Sequence, residues 1–301
     1  MTVIVSGEAL YQWREWAITQ SKAHNIDPYE VDWFLQGATS LASLSLTLGS
    51  YQNQAEISIS APLSNLTEKW KQRIEQRVPV QYLTGETPWR HFLLSVTSDV
   101  LIPRPETELI INIAQTLVEQ DPIAEQHRTG NWADLGTGSG AIALGLAHTF
   151  PRANIHAVDI SEEALAVAKH NATKNDLSDR ITFYQGNWLT PLTPLKGNLT
   201  AILTNPPYIP SQTILTLQPE VTHHEPHLAL DGGPDGLGCI RTLITQSATY
   251  LTPSGLFLTE LMSGQATTVA ALLAEQQAYS HITIHPDLSG IKRFVSARKA
   301  L

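Results

Sequence analysis

The chain has 301 residues, of which 42% are hydrophobic and 16% charged, and its formal net charge is −9. That composition belongs to a folded globular protein with ample core, and it excludes disorder as the ground expectation. An acidic balance argues against broad binding to nucleic acid, which draws on Lys and Arg neutralising phosphates.

Cys239 is the single cysteine, so an intrachain disulfide and a thiolate metal cluster are both excluded. A reducing compartment fits that usage. The first residues, MTVIVSGEALYQW, lack the basic and apolar regions of a signal peptide. No run approaches the roughly 18 apolar residues of a membrane span. A cytoplasmic protein with no membrane partner is therefore expected.

Residues 1–85 read as a small helical domain. "GEALYQWREWAITQSKAHN" places Leu10, Trp13, Ala17 and Ile18 at helical spacing, and "DPYEVDWFLQGAT" opens on an Asp-Pro start signal. "NLTEKWKQRIEQRVPV" repeats the pattern and stops at Pro79. The aromatic residues Tyr11, Trp13, Trp16, Tyr29, Trp33 and Phe34 are expected in its core. Residues 86–102, "ETPWRHFLLSVTSDVLI", hold two apolar runs around a polar turn and predict a β-hairpin connector. "PRPETELIINIAQTLVEQ" begins a helix with Pro and acids in the first turn.

Within residues 103–301, a regular rhythm starts at 131. Strand "WADL", a Gly-rich loop and helix "SGAIALGLAHTF" are followed by strand "NIHAVD", helix "SEEALAVAKHNATKN" and strands "RITFYQG" and "TAILT". A Gly- and Pro-rich loop then leads to helix "LGCIRTLITQSATYL", strand "GLFLTEL", helix "QATTVAALLAEQQ" and strands "HITIHP" and "RFVSAR". Alternation of this kind predicts an α/β fold with a parallel sheet covered on both faces. The last two strands are expected as an antiparallel hairpin at its edge.

Four features fall at strand ends, where an open α/β sheet binds its ligand. In "DLGTGSGAIAL", Gly136, Thr137, Gly138, Ser139 and Gly140 form a loop whose backbone can approach a ligand closely, ahead of a helix N-terminus. That loop alone does not separate NAD from S-adenosylmethionine, and a merely tight turn accounts for it too. Asp159 follows 19 residues after Gly140 and can accept from both hydroxyls of a ribose. Its plainer role is a helix N-terminal acid, which Ser161 serves better as cap. Trp188 in "GNWLTP" can lie on a planar adenine or simply sit on a surface loop.

The fourth feature is "LTNPPYIP". Two prolines without N–H groups stiffen the turn that carries Asn205, Pro206, Pro207 and Tyr208. If the Asn205 side-chain carbonyl and the Pro206 backbone carbonyl accept the two hydrogens of an amide or amino nitrogen, that weak nucleophile is fixed facing a donor methyl. Tyr208 then packs on the flat π-system of the acceptor, and Asn205 also borders the cofactor. Hydride transfer to NAD has no use for such a clamp.

Taken together, the chain resembles the release-factor glutamine methyltransferase family over nearly all of residues 79–301. The resemblance rests on "PVQYLTGE", "LIPRPETE", "DLGTGSGAIAL", "AVDIS", "NPPYI" and "EPHLALDGG". It implies a Rossmann-like seven-stranded methyltransferase sheet with an antiparallel last strand, behind a helical domain that helps hold the substrate. It implies N5-methylation of the glutamine in the Gly-Gly-Gln loop of class I peptide-chain release factors, with S-adenosylmethionine and no metal, in a monomer. By the same analogy "RPETE" lies near the methionine end of the cofactor. A ribosomal-protein glutamine or an adenine-N6 target shares the same clamp and remains open. The family's usual Glu-x-Gly is replaced here by Glu260-Leu261-Met262, so the local turn departs from the pattern.

Other constellations lead elsewhere. "HHEPH" (223–227) is not H-E-x-x-H, and Pro226 breaks the helix such a metal motif needs, so solvated loop histidines are expected. Cys239 falls on a predicted helix and reads as a buried thiol. "DGGPDGLG" lacks the Lys-Ser/Thr of a P-loop and reads as a loop rimming a substrate channel.

Overall fold

A computed structural model describes residues 3–121 and 123–301. The chain divides into two compact units, Met1–Glu86 with Pro219–His224, and Thr87–Gln218 with Glu225–Leu301.

In the first unit, β1 (Val3–Val5) precedes α1 (Gly7–Ala23), α2 (Tyr29–Ala38) and α3 (Ser43–Leu48). β2 (Ile57–Ile59), α4 (Leu63–Glu75) and α5 (Val80–Thr84) follow. Helix α1 starts where the Ser6 hydroxyl accepts from the Ala9 N–H, which satisfies one of the orphan donors of the first turn. Its apolar stripe buries Leu10, Trp13 and Ala17. Trp13 stacks on Phe34 with ring centroids 5.9 Å apart, and Phe34 meets Trp70 at 5.3 Å. Tyr29 departs from the expected aromatic core and is exposed, because it opens α2 on the helix's outer face. The purely helical reading also missed the antiparallel pair β1–β2, in which Val3 faces Ile59. Three-residue strands are too short to show alternation.

The second unit begins with the hairpin β3 (Glu86–Trp89) and β4 (Phe92–Ser95), then α6 (Leu109–Glu119) and α7 (Ala124–Thr129). β5 (Asn131–Leu135), α8 (Ala141–Thr149), β6 (Asn154–Asp159), α9 (Glu162–Lys174), β7 (Ile181–Gln185) and β8 (Leu199–Thr204) continue it. After the short helices α10 (Ser211–Ile214) and α11 (Pro219–His224) come α12 (Gly238–Tyr250), β9 (Leu251–Glu260), α13 (Ala266–Glu275), β10 (Tyr279–Pro286) and β11 (Lys292–Lys299). Of these, α11 folds with the first unit: the buried Arg73 guanidinium bonds both Glu30 and Glu220, at 2.5 and 2.8 Å.

Seven strands form one sheet in the order β10-β11-β9-β8-β5-β6-β7. β11 is antiparallel to β10 and β9, and the pairs from β9 through β7 are parallel. Every residue of the central β8 is buried, as a parallel strand covered on both faces requires. One face packs Trp132, Ala201 and Leu203 against α6, α8 and the hairpin residues Trp89, Phe92 and Leu94. The other packs Ile202, Leu243 and Phe257 with Val269 from α13. The hairpin is thus part of this unit's core, not a free connector.

Asn171 of α9 is fully buried and ties three segments together. Its Oδ1 accepts from the Ser95 N–H at 2.7 Å, and its Nδ2 donates to the carbonyls of Ser95 and Ser139, both at 2.9 Å. The end of β4 and the Gly-rich loop are therefore fixed to one side chain. Asn171→Leu leaves these groups unpaired, and a loss of at least about 2 kcal/mol in urea unfolding is expected.

Candidate active site

Strand register explains why distant motifs meet. Leu135 of β5 pairs with Val158 of β6 and with Thr204 of β8, so the Gly-rich loop and the N-P-P-Y segment leave adjacent strands at one level. Asp159 pairs with Gln185 of β7, which places Asn187 and Trp188 just beyond the same edge. The sheet order reverses between β5 and β8, which makes this the topological switch point. A cavity of about 500 Å³ opens here, and Gly136, Gly138, Asp159, Trp188, Asn205 and Pro207 all line it.

The Gly-rich loop is held from below and from one side. Gly136 and Thr137 donate backbone N–H bonds to the Val158 carbonyl at 2.9 and 3.0 Å. Asp134, fully buried beneath the loop, accepts from the Thr137 hydroxyl at 2.6 Å and the Ala143 N–H at 3.0 Å. Burial pushes the Asp134 carboxyl up to about 7, against the lowering effect of those two donors. Thr137 and Ser139 are themselves buried and serve the loop's shape. Gly136, Gly138 and Gly140 all have positive φ, at 73°, 53° and 84°. A side chain at Gly136 would meet the Trp188 ring 3.3 Å away, whereas Gly138 faces open space.

Asp159 organises the neighbouring wall. Its Oδ2 accepts from the Gly138 N–H at 2.8 Å and its Oδ1 from the Ser161 N–H at 3.0 Å. Each oxygen keeps a second lone pair for a ligand. Ser161 caps α9 by accepting from the Ala164 N–H, so the capping duty falls where the sequence placed it.

On the other wall, Asn205 Nδ2 donates to the Thr107 hydroxyl at 3.3 Å, which leaves Oδ1 as the acceptor end of the amide. Pro206 is buried. Tyr208 lies outside the cavity lining: its hydroxyl donates to Glu260 Oε1 at 3.3 Å and its carbonyl accepts from Gln265 Nε2 at 2.9 Å. Burial, with Glu260 adding to it, raises the Tyr208 phenol, so it stays protonated.

The R-P-E-T-E stretch reaches the site through Thr107, while Arg104 pairs with the buried Glu225 at 2.6 Å. That pair anchors the start of the segment whose Pro226, Leu228 and Ala229 line the cavity. The departure at Leu261-Met262 is absorbed locally. The Met262 N–H donates to Gln265 Oε1 at 3.0 Å, and the turn is made at Gly264, with φ 94°.

Sequence reasoning missed Ser98–Leu101, Ile160 and Asn187 in the wall, since Leu101 and Ile160 are apolar members of "LIPRPETE" and "AVDIS" and none of these residues carries a chemical signal of its own. It also misjudged Cys239, which is half-buried and lines the cavity because the first turn of α12 faces it. Partial burial still raises its thiol pKa. His224 of "HHEPH" bonds the Gln76 carbonyl at 2.7 Å.

Residues 113–233 match the model of the methyltransferase small domain. The release factor glutamine methyltransferase of Synechocystis sp. is 52% identical, over 98% of this chain and 97% of its own. The protein of that name from Thermosynechococcus vestitus is 47% identical, over 98% and 99%.

The chain belongs to the release factor glutamine methyltransferase family.

Among solved structures, the hMettl16 catalytic domain in complex with MAT2A 3'UTR hairpin 6 superposes with a TM-score of 0.54 at 15% identity, over 82% of this chain and 84% of that one. That likeness is one of fold. Among the described residues, no helix is long and apolar enough to cross a membrane.

The loop geometry predicts unequal tolerance within the family's glycines. Gly138→Ala meets only the positive-φ strain of about 1–2 kcal/mol. Gly140→Ala adds a contact of 3.2 Å with the Ala168 side chain. Thermal unfolding should therefore rank Gly140→Ala as the less stable of the two.

Proposed function

We propose that this enzyme transfers a methyl group from S-adenosylmethionine to the side-chain amide nitrogen of the glutamine in the Gly-Gly-Gln loop of class I peptide-chain release factors. The observation that carries this reading is that Asn205 and Pro207 share one cavity with Gly136, Gly138 and Asp159. The family's own name supports the acceptor.

The residues present fit this cosubstrate. A cavity of about 500 Å³ is within the size of pockets that enclose small ligands. The open space at Gly138 admits a ligand close to the backbone, and Asp159 has lone pairs for ribose hydroxyls. When bound, S-adenosylmethionine supplies a methyl carbon made electrophilic by its sulfonium sulfur.

The acceptor poses the harder problem, because an amide nitrogen shares its lone pair with the carbonyl. Asn205 Oδ1 accepts one of its hydrogens and the Pro206 carbonyl the other, so the nitrogen is held in a single orientation. Pro206 and Pro207 stiffen the backbone that carries both acceptors. Charge is dispersed as transfer proceeds, so the walls serve best by excluding water and fixing geometry. Tyr208, neutral and tethered by its hydroxyl to Glu260, lies outside the cavity lining and stiffens the turn that carries Asn205 instead of packing on the acceptor. The first unit is read as the part that engages the body of the release factor.

Transfer of labelled methyl is expected to a purified release factor, but neither to the same factor with its Gly-Gly-Gln glutamine changed to alanine nor to duplex DNA. Label on DNA alone would overturn the acceptor and keep the clamp. Asn205→Ala should lower kcat on the order of 100-fold, with cosubstrate affinity nearly unchanged. Asp159→Ala should weaken cosubstrate binding about 10-fold or more, as loss of hydrogen bonds to a charged group does, measured by calorimetry.

A further inference from the structure

Glu260 ends β9 at 1% exposure, and the energetics of its burial are unusual. Its Oε1 accepts from the Tyr208 hydroxyl, and its Oε2 is buried with no hydrogen-bond partner among the described residues. Arg293 contributes an attractive charge, but its guanidinium is bonded to Asp287 at 2.8 Å. A carboxyl so placed costs stability that an apolar residue of the same shape would not. Tyr208 of the N-P-P-Y segment bonds it directly, and Asn205 of the same segment bonds the nearby Thr107.

One of those two is reached through Thr107. This hydroxyl is buried, accepts from Asn205 Nδ2 at 3.3 Å, and lies close enough to the Glu260 carboxylate to stabilise its charge. Thr107 thus stands between Glu260 and Asn205. An amide's two ends are coupled by resonance. Drawing on the Nδ2 hydrogens pushes negative charge to Oδ1, the atom that faces the acceptor nitrogen.

We propose that Glu260 is a positioning residue of the methyl transfer, which orients and polarises the Asn205 amide through Thr107 and tethers Tyr208 directly. The inference rests on the reading of Asn205 as the acceptor clamp.

The ionised form does this work best. Burial pushes the Glu260 carboxyl up to about 7, with Thr107, Tyr208 and Arg293 opposing and Glu106 adding to the rise. Arg104 faces the same cluster through its effect on Tyr208. Since the folded-state value lies above the ordinary carboxylate range, the folded protein holds this proton more tightly than the unfolded chain does. Its contribution to stability is present at low pH and is lost as pH rises towards about 7. Activity should follow the opposite course, with kcat falling on the acid side of that value.

The test uses the full-length enzyme with a release factor as acceptor. Glu260→Gln should lower kcat about 10- to 100-fold, the scale of one hydrogen bond to a charged group, while KM for the release factor and cosubstrate affinity hold. The acid limb of the native pH profile should vanish in this variant. Its urea midpoint at pH 8 should match or exceed the native one. Thr107→Val should reproduce the loss without adding to it in the double variant, and Thr107→Ser should restore turnover. Unchanged kcat in Glu260→Gln would overturn the proposal, as would a lowered urea midpoint with a raised KM, which marks a merely structural role. If the native enzyme does not methylate the release factor, the acceptor reading fails first, and separately.

Discussion

Everything in the catalytic unit depends on the register of β5 between β6 and β8. Because Leu135 pairs with both Val158 and Thr204, the three strands end level, and the chain must leave the sheet in opposite directions at β5 and β8. No covering helix can fill the gap between those departures, so a cavity is the natural result of the topology. The Thr204 hydroxyl bond to the Leu135 carbonyl, at 2.7 Å, fixes the two ends together at the point of divergence. The Gly-rich loop and the N-P-P-Y segment face each other because of this pairing.

Two buried carboxyls, Asp134 and Glu260, lie behind the loops that form the two walls, and burial raises both towards neutrality. Each accepts hydrogen bonds from the segment it supports: Thr137 and Ala143 in one case, Tyr208 in the other. Irregular backbone near a ligand cannot be held by sheet or helix ladders, and a buried acceptor with several lone pairs substitutes for them. Asn171 does the same with an uncharged amide, joining Ser95 to Ser139. The site is therefore rigid for reasons that lie outside its lining.

Much of this was legible along the chain. The parallel sheet, its antiparallel final pair and the strand-end positions of Gly136, Gly138, Asp159, Trp188 and Asn205 follow from alternating apolar runs punctuated by Gly and Pro. Those signals are local, and each strand of five or six residues is long enough to show them. The β1–β2 pair, with three residues a side, is not. Ser98–Val100, Asn187 and the cavity-facing Cys239 carry no pattern either, because lining a wall needs only proximity. Thr107 reads equally as part of a helix start, and Glu260 as the polar end of a strand.

The sequence by itself determined the fold class and the order of the large sheet's elements, because those rest on periodicity and turn chemistry within a few tens of residues, while the family followed from the resemblance of its motifs. It also marked Asn205 as carried on a stiff turn, since two consecutive prolines constrain a backbone wherever they occur. Tertiary structure alone decided how that turn is held. Thr107 lies 98 residues from Asn205, and Tyr208 lies 52 from Glu260. No local rule links positions so far apart. Tyr208 and Glu260 meet because the parallel strands β8 and β9 bring their carboxyl ends to one edge, and Thr107 joins them from the turn that opens α6.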